Sequence, residues 1–157
     1  MALAGIDSRR KCDEIIASGR VRINARVVKK LGTQVDVYND LVTVDNKPIR
    51  LKGEFVYIML NKPLGTVTTV HDPQHRRTVM DCLPKLDKRV FPVGRLDYNT
   101  SGLLLFTNDG DTAQKLIHPS FELEKKYLAT IEGALTDEQI NALRNGVDIG
   151  GFVTSPA

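Results

Sequence analysis

The chain has 157 residues, 41% hydrophobic and 26% charged, which suits one ordinary globular domain or two small ones and argues against disorder. No apolar run is long enough to span a membrane, and the opening MALAGIDSRRK lacks the apolar stretch of a signal peptide. Net charge is +3, but residues 1–53 hold 11 Lys+Arg against 6 Asp+Glu and residues 54–157 hold 11 against 13. A basic head on a near-neutral body suits a polyanion partner, though a solvated basic face would look the same. The two cysteines, Cys12 and Cys82, stand far apart in no CxxC pattern. They argue against a zinc site or a disulfide framework, and a reducing cytoplasm is the expected compartment.

In chain order, MALAG reads as the tail of a helix with Gly5 as its stop. Ser8 is a good N-cap for a second helix, with Cys12, Ile15 and Ile16 on one face and Gly19 as its stop. VRINARVV alternates as a strand. GTQVDVYNDLVTVDNKPI reads as short strands broken at Asn39-Asp40 and Asp45-Asn46. Residues 1–49 thus form a small helix-turn-helix and sheet module with a thin core. RLKGE, residues 50–54, is the expected linker, and residues 55–157 a second domain. There FVYIMLNKP, TVTTV, LLLFT and EKKYLATIEG read as strands. TVMDCLPKL and DGDTAQKLIH read as helices. Thr136 to Gln139 is a capping box that starts a helix over 136–145, and VDIGGFVTSPA a hairpin around Gly150-Gly151. Strands and helices do not alternate regularly, so the fold class is α+β with a mixed, largely antiparallel sheet and flanking helices.

GRLDYNTSGLLLFTNDG, residues 94–110, poses the functional question. It sets one carboxylate, Asp97, in a cluster of turn formers ahead of a buried strand. Asp97 to Gly102 resembles half of a calcium loop, but the twelfth position is Asn108, which is neutral, and the flanks are wrong. A plain turn explains the polar residues and gives no reason for GRLD ahead of them. A carboxylate at the mouth of a sheet, with Arg95 two residues before it, also fits a covalent nucleophile. The chain offers no Walker loop, GxSxG, HExxH or Cys/His pair in competition. His71, His75 and His118 sit near prolines and read as surface residues.

The same stretch resembles the signature of the RsuA-type ribosomal RNA pseudouridine synthases. NKPLGTVTT, VFPVGRLD and HPSFELEKKYLATIEG follow the family in order, and SRRKCDEIIASGRVRINARVV with GTQVD resembles its S4 RNA-binding domain. The resemblance implies isomerisation of a uridine in ribosomal RNA to pseudouridine, without cofactor or metal, with Asp97 as the catalytic carboxylate. It places Arg95 where the flipped base leaves the stack and Tyr127 against the target base. Asn61, Lys62 and Pro63 match a further motif, with structural support and RNA contact as the roles expected of it. In the head it marks Ser8, Arg9, Arg10, Lys11, Arg20 and Asn24 as RNA contacts. Ala25 departs from the family, where Gly is common in a V-N-G turn.

Against that family the chain stops at TSPA, before the motif whose arginine pairs with the catalytic aspartate, and Met1 enters mid-helix. The expectation is a fragment with little or no activity, prone to associate with another copy through a sheet edge. The alternative is a module that docks on structured RNA without catalysis.

Overall fold

The computed structural model describes residues 1–50 and 53–156. The expected linker at 50–54 includes residues 51 and 52, which lie outside the described residues. The chain folds as two compact units, Met1–Leu123 and Glu124–Ala157. The fold is α+β with antiparallel sheets. Among the described residues no helix is long and apolar enough to cross a membrane.

The first unit opens with turns over residues 2–5 and then α1, Arg9–Ala17. Ser8 caps α1 by accepting from Lys11 N at 3.3 Å, and Gly19, at φ +77°, lets the chain leave it. VRINARVV is two strands and not one: β1, Val21–Ile23, and β2, Arg26–Val28, pair antiparallel across Asn24-Ala25. Both turn residues have positive φ, 48° and 67°, the signature of a type I′ turn. β3, Val42–Val44, and β4, Lys47–Pro48, form a second hairpin on Asp45-Asn46, also at positive φ. The sheet order is β2-β1-β3-β4. Val21 and Val44 pair directly and are both buried. Residues 31–41, read in part as strand, form no strand.

The second sheet has the order β5-β7-β6, from β5, Tyr57–Lys62, β6, Phe91–Val93, and β7, Gly102–Thr107. β7 is central and pairs antiparallel with both neighbours; within the apolar run LLLF, Leu104 and Phe106 are buried while Leu103 is 66% exposed, so the run is covered on one face and not on both. Leu104 and Phe106 point into a core with Val79 and Val90, and Ile58 and Leu60 of β5 pack against it. TVTTV is not a sheet strand. It makes one isolated bridge, Val67 to Thr78, ahead of a single 3₁₀ turn, Val79–Cys82. α2, Gly110–Ile117, follows β7.

The second unit contains α3, Asp137–Asn145, closed by the capping box: Thr136 N donates to Gln139 Oε1 at 2.9 Å and Gln139 N to Thr136 Oγ1 at 3.3 Å. Asp148 and Val153 bridge across Gly150-Gly151, forming the expected hairpin. EKKYLATIEG is a correction. Residues 124–133 are exposed and, among the described residues, form no β-ladder, and alternation alone does not make a strand.

Candidate active site

The GRLD turn is held from behind through its main chain. β5 ends at Lys62, and the segment that follows it, Pro63 to Thr68, runs along residues 96–100. Thr68 Oγ1 donates to Leu96 O at 2.6 Å and accepts from Leu96 N at 3.2 Å. Gly65 N donates to Tyr98 O at 2.9 Å. The Lys62 ammonium donates to Asp97 O at 2.9 Å and Thr100 O at 2.8 Å, with longer contacts to Pro63 O and Tyr98 O. Thr100 N closes the turn onto Asp97 O at 3.0 Å. NKPLGTVTT and GRLDYNTSG are thus two halves of one construction.

Lys62 has no exposed surface. Its assignment as an RNA contact is therefore corrected: its charge is directed at carbonyls inside the fold. Burial holds its ammonium below the usual lysine range, opposed by the charges of Cys82 and Asp97. The lysine therefore also supplies a positive charge behind the Asp97 carboxylate. Asp97 and Arg95 are both exposed. Among the described residues the Asp97 carboxylate accepts no hydrogen bond and makes no ion pair.

The far end of the signature is structural. Asn108 Oδ1 accepts from Val56 N at 2.8 Å, and Asn108 Nδ2 donates to Glu54 O at 3.2 Å. Asp109 caps α2 through Asp111 N and Thr112 N and accepts the Tyr57 hydroxyl at 2.8 Å. Hydrogen bonds from Thr112 and Tyr57 hold its carboxyl below the usual range. These contacts tie the start of β5 to the end of β7.

In the head, Arg9 and Arg10 are exposed and, among the described residues, make no ion pair. Lys11 pairs with Glu14 at 2.7 Å. Ser8 is used as the cap. Arg20 forks onto both Asp45 oxygens, tying the end of α1 to the β3–β4 turn. Asn24 Nδ2 donates to Asp40 Oδ1 at 2.6 Å, and its Oδ1 accepts from Leu41 N at 2.9 Å. Ser8, Arg20 and Asn24 thus have work inside the fold. Tyr127 lies in the second unit, 68% exposed.

Sequence reading missed Thr68 and the Asp72–Arg76 pair. The pair has an i, i+4 spacing, but outside a helix that spacing carries no signal. Arg76 Nε and Nη2 donate to Asp72 at 3.1 and 2.8 Å, and Arg76 N donates to it at 2.9 Å. Arg76 holds the Asp72 carboxyl down to about 2.

An exposed carboxylate on a rigid turn, backed by a buried cation, sits in a chain whose comparisons agree. The RNA pseudouridylate synthase family profile matches residues 56–150, and the S4 domain profile matches residues 1–41. The chain belongs to the RNA pseudouridylate synthase family. It is 42% identical over 154 residues to an uncharacterized RNA pseudouridine synthase of Aquifex aeolicus, covering 98% of this chain and 61% of that one. It is 40% identical over 157 residues to the ribosomal large subunit pseudouridine synthase B of Bacillus subtilis, covering 100% and 64%. A crystal structure of a pseudouridylate synthase superposes with a TM-score of 0.61 at 27% identity, covering 96% of this chain and 65% of that one. The chain spans about three fifths of the length of these two curated relatives.

Proposed function

We propose that the protein acts in the isomerisation of a uridine in ribosomal RNA to pseudouridine, with Asp97 as the attacking carboxylate. The observation that carries this reading is the Asp97 turn. Among the described residues its carboxylate has no hydrogen-bond or ion-pair partner, while Lys62, Gly65 and Thr68 hold the main chain around it. A nucleophile needs that combination of an open reacting group and a fixed position.

The target uridine must leave its stack to reach Asp97. Attack at the sugar C1′ or at the base C6 both fit a carboxylate. In either route the N1–C1′ bond breaks, the uracil turns, C5 bonds to C1′, the bond to the Asp97 carboxylate breaks, and C5 loses a proton while N1 gains one. Arg95, two residues before Asp97 and exposed, is assigned to the gap left by the flipped base, and Tyr127 to stacking on the base. Residues 1–49 are assigned to docking on structured RNA through Arg9, Arg10 and Lys11, with Ser8, Arg20 and Asn24 shaping that surface. The ribosomal target draws support from the name of the Bacillus subtilis relative.

The test is release of tritium from ribosomal RNA labelled at uridine C5, comparing the protein with its Asp97→Asn variant. Release that vanishes in the variant is the expected result. Release that persists in it removes Asp97 from the chemistry. No release from RNA that an active relative modifies would leave docking without catalysis as the function of this chain.

A further inference from the structure

Residues 1–53 contain a single aromatic residue, Tyr38, and it is 93% exposed. Val37 before it and Leu41 after it are also more than half exposed. The chain beneath the ring is nevertheless fixed. Asp36 Oδ1 accepts from Tyr38 N at 2.9 Å and Asn39 N at 3.3 Å, and Asp36 Oδ2 accepts from Asn39 Nδ2 at 2.7 Å. Asp40 N donates to Asp36 O at 2.8 Å, and Asp36 N donates back to Asp40 Oδ2 at 2.9 Å. Residues 36–40 are thus closed into a small loop by their own hydrogen bonds, with the phenol ring outside it.

Asn24 fastens this loop to the β1–β2 turn. Its side chain bonds both Asp40 and Leu41, and Asn24 N donates to Leu41 O at 3.0 Å. Arg22 and Arg26 stand two residues to either side of Asn24, so their Cα atoms lie within about 7 Å of its own. Both are exposed and, among the described residues, make no ion pair. Residues 21–35 carry four cations, Arg22, Arg26, Lys29 and Lys30, and no acid. The carboxylates of Asp36 and Asp40 are engaged in the hydrogen bonds of the loop and its anchor. An open aromatic ring is therefore held on a cationic hairpin, within the segment that the S4 profile matches. A strand of RNA uses both kinds of group: the ring takes the face of a base, and cations take phosphates. Structured RNA presents such a face where a base is unpaired.

We propose that Tyr38 is a base-stacking residue of the head: it takes one unpaired base of the RNA on which residues 1–49 dock, with phosphates of that strand on the β1–β2 hairpin. This rests on the reading of the head as the docking module and does not depend on Asp97. It gives Asn24 the task of holding the Tyr38 loop against the hairpin.

The experiment measures affinity for unmodified ribosomal RNA across a salt series, with every protein carrying Asp97→Asn so that turnover plays no part. Tyr38→Ala is expected to weaken binding about tenfold with the salt slope unchanged, because stacking releases no counterions. Tyr38→Phe keeps the ring and is expected to bind within about twofold of its parent. The chain has no tryptophan, so Tyr38→Trp sets a single indole at the proposed contact, and its emission is expected to be quenched on saturation with RNA. On a long blunt RNA duplex, whose bases are paired, Tyr38→Ala is expected to bind like its parent. Binding of Tyr38→Ala to ribosomal RNA within about twofold of its parent would overturn the proposal. A Tyr38→Phe loss equal to that of Tyr38→Ala would also overturn it, since the hydroxyl and not the ring would then matter. So would an indole emission unmoved by RNA, or an equal Tyr38→Ala loss on the duplex. If the head does not dock RNA at all, charge reversal at Arg9 and Arg10 and Tyr38→Ala both leave binding unchanged. If the proposal alone fails, the charge reversal still flattens the salt slope.

Discussion

The Lys62 ammonium, fully buried at the end of β5, donates to the carbonyl of Asp97 at 2.9 Å and to that of Thr100 at 2.8 Å. One side chain thus spans the turn that presents the carboxylate. Replacing it by Met leaves those carbonyls without a donor. Lys62→Met is expected to cost about 3 kcal/mol of stability by urea unfolding, the penalty for unsatisfied buried carbonyls. Tritium release at saturating RNA should fall further than this destabilisation explains, because the carboxylate is no longer aimed. Lys62→Arg is not expected to rescue it, since a planar fork does not fit a cavity shaped for an ammonium.

Ala25 sits at φ +67° in the β1–β2 turn, a left-handed position that costs an alanine about 1 kcal/mol. Ala25→Gly is expected to raise stability by up to that amount, and Ala25→Val to lower it by more. Thermal unfolding of the three proteins checks the order.

Arg9 and Arg10 are the open cations of α1. Reversing both charges is expected to weaken binding to ribosomal RNA and to flatten its salt dependence, by about one unit of slope for each phosphate no longer neutralised. Identical slopes in the variant and its parent would move the docking surface elsewhere.

Asp72 carries a pH signature. Its carboxyl is held down to about 2 from an ordinary 3.8, chiefly by the Arg76 hydrogen bonds. A lowered carboxyl binds fewer protons folded than unfolded, so it stabilises the fold above pH 3.8 and loses that contribution as pH falls through about 2. Asp72→Asn is expected to flatten the acid limb of the stability profile in that window. A parallel profile, shifted without change of slope, would deny the linkage.

The helices, β5, β7 and the position of Asp97 are legible in the sequence because each follows from a local pattern: a cap, an apolar run, a cluster of turn formers. The β1–β2 hairpin is not, because Ala25 occupies a position that glycine would have announced. The 124–133 segment misleads for the opposite reason, since its alternation is real but pairing is a property of two segments. Lys62 reads as a surface cation because lysine is almost never fully buried, and only the four carbonyls gathered around it make burial tolerable. Asp97 stands out as a candidate from its neighbours in the chain. The shell that holds it comes from residues more than twenty-five positions away and is legible only in three dimensions.

Support of the Asp97 turn runs through backbone carbonyls and amides, and this separates two kinds of evolutionary change. Side chains at Tyr98 and Asn99 carry little of the load that fixes the carboxylate. They can be exchanged without moving it. A lineage could therefore retune which RNA neighbourhood it accepts by single substitutions on the turn while its chemistry stays in place, much as a tool holder takes different bits.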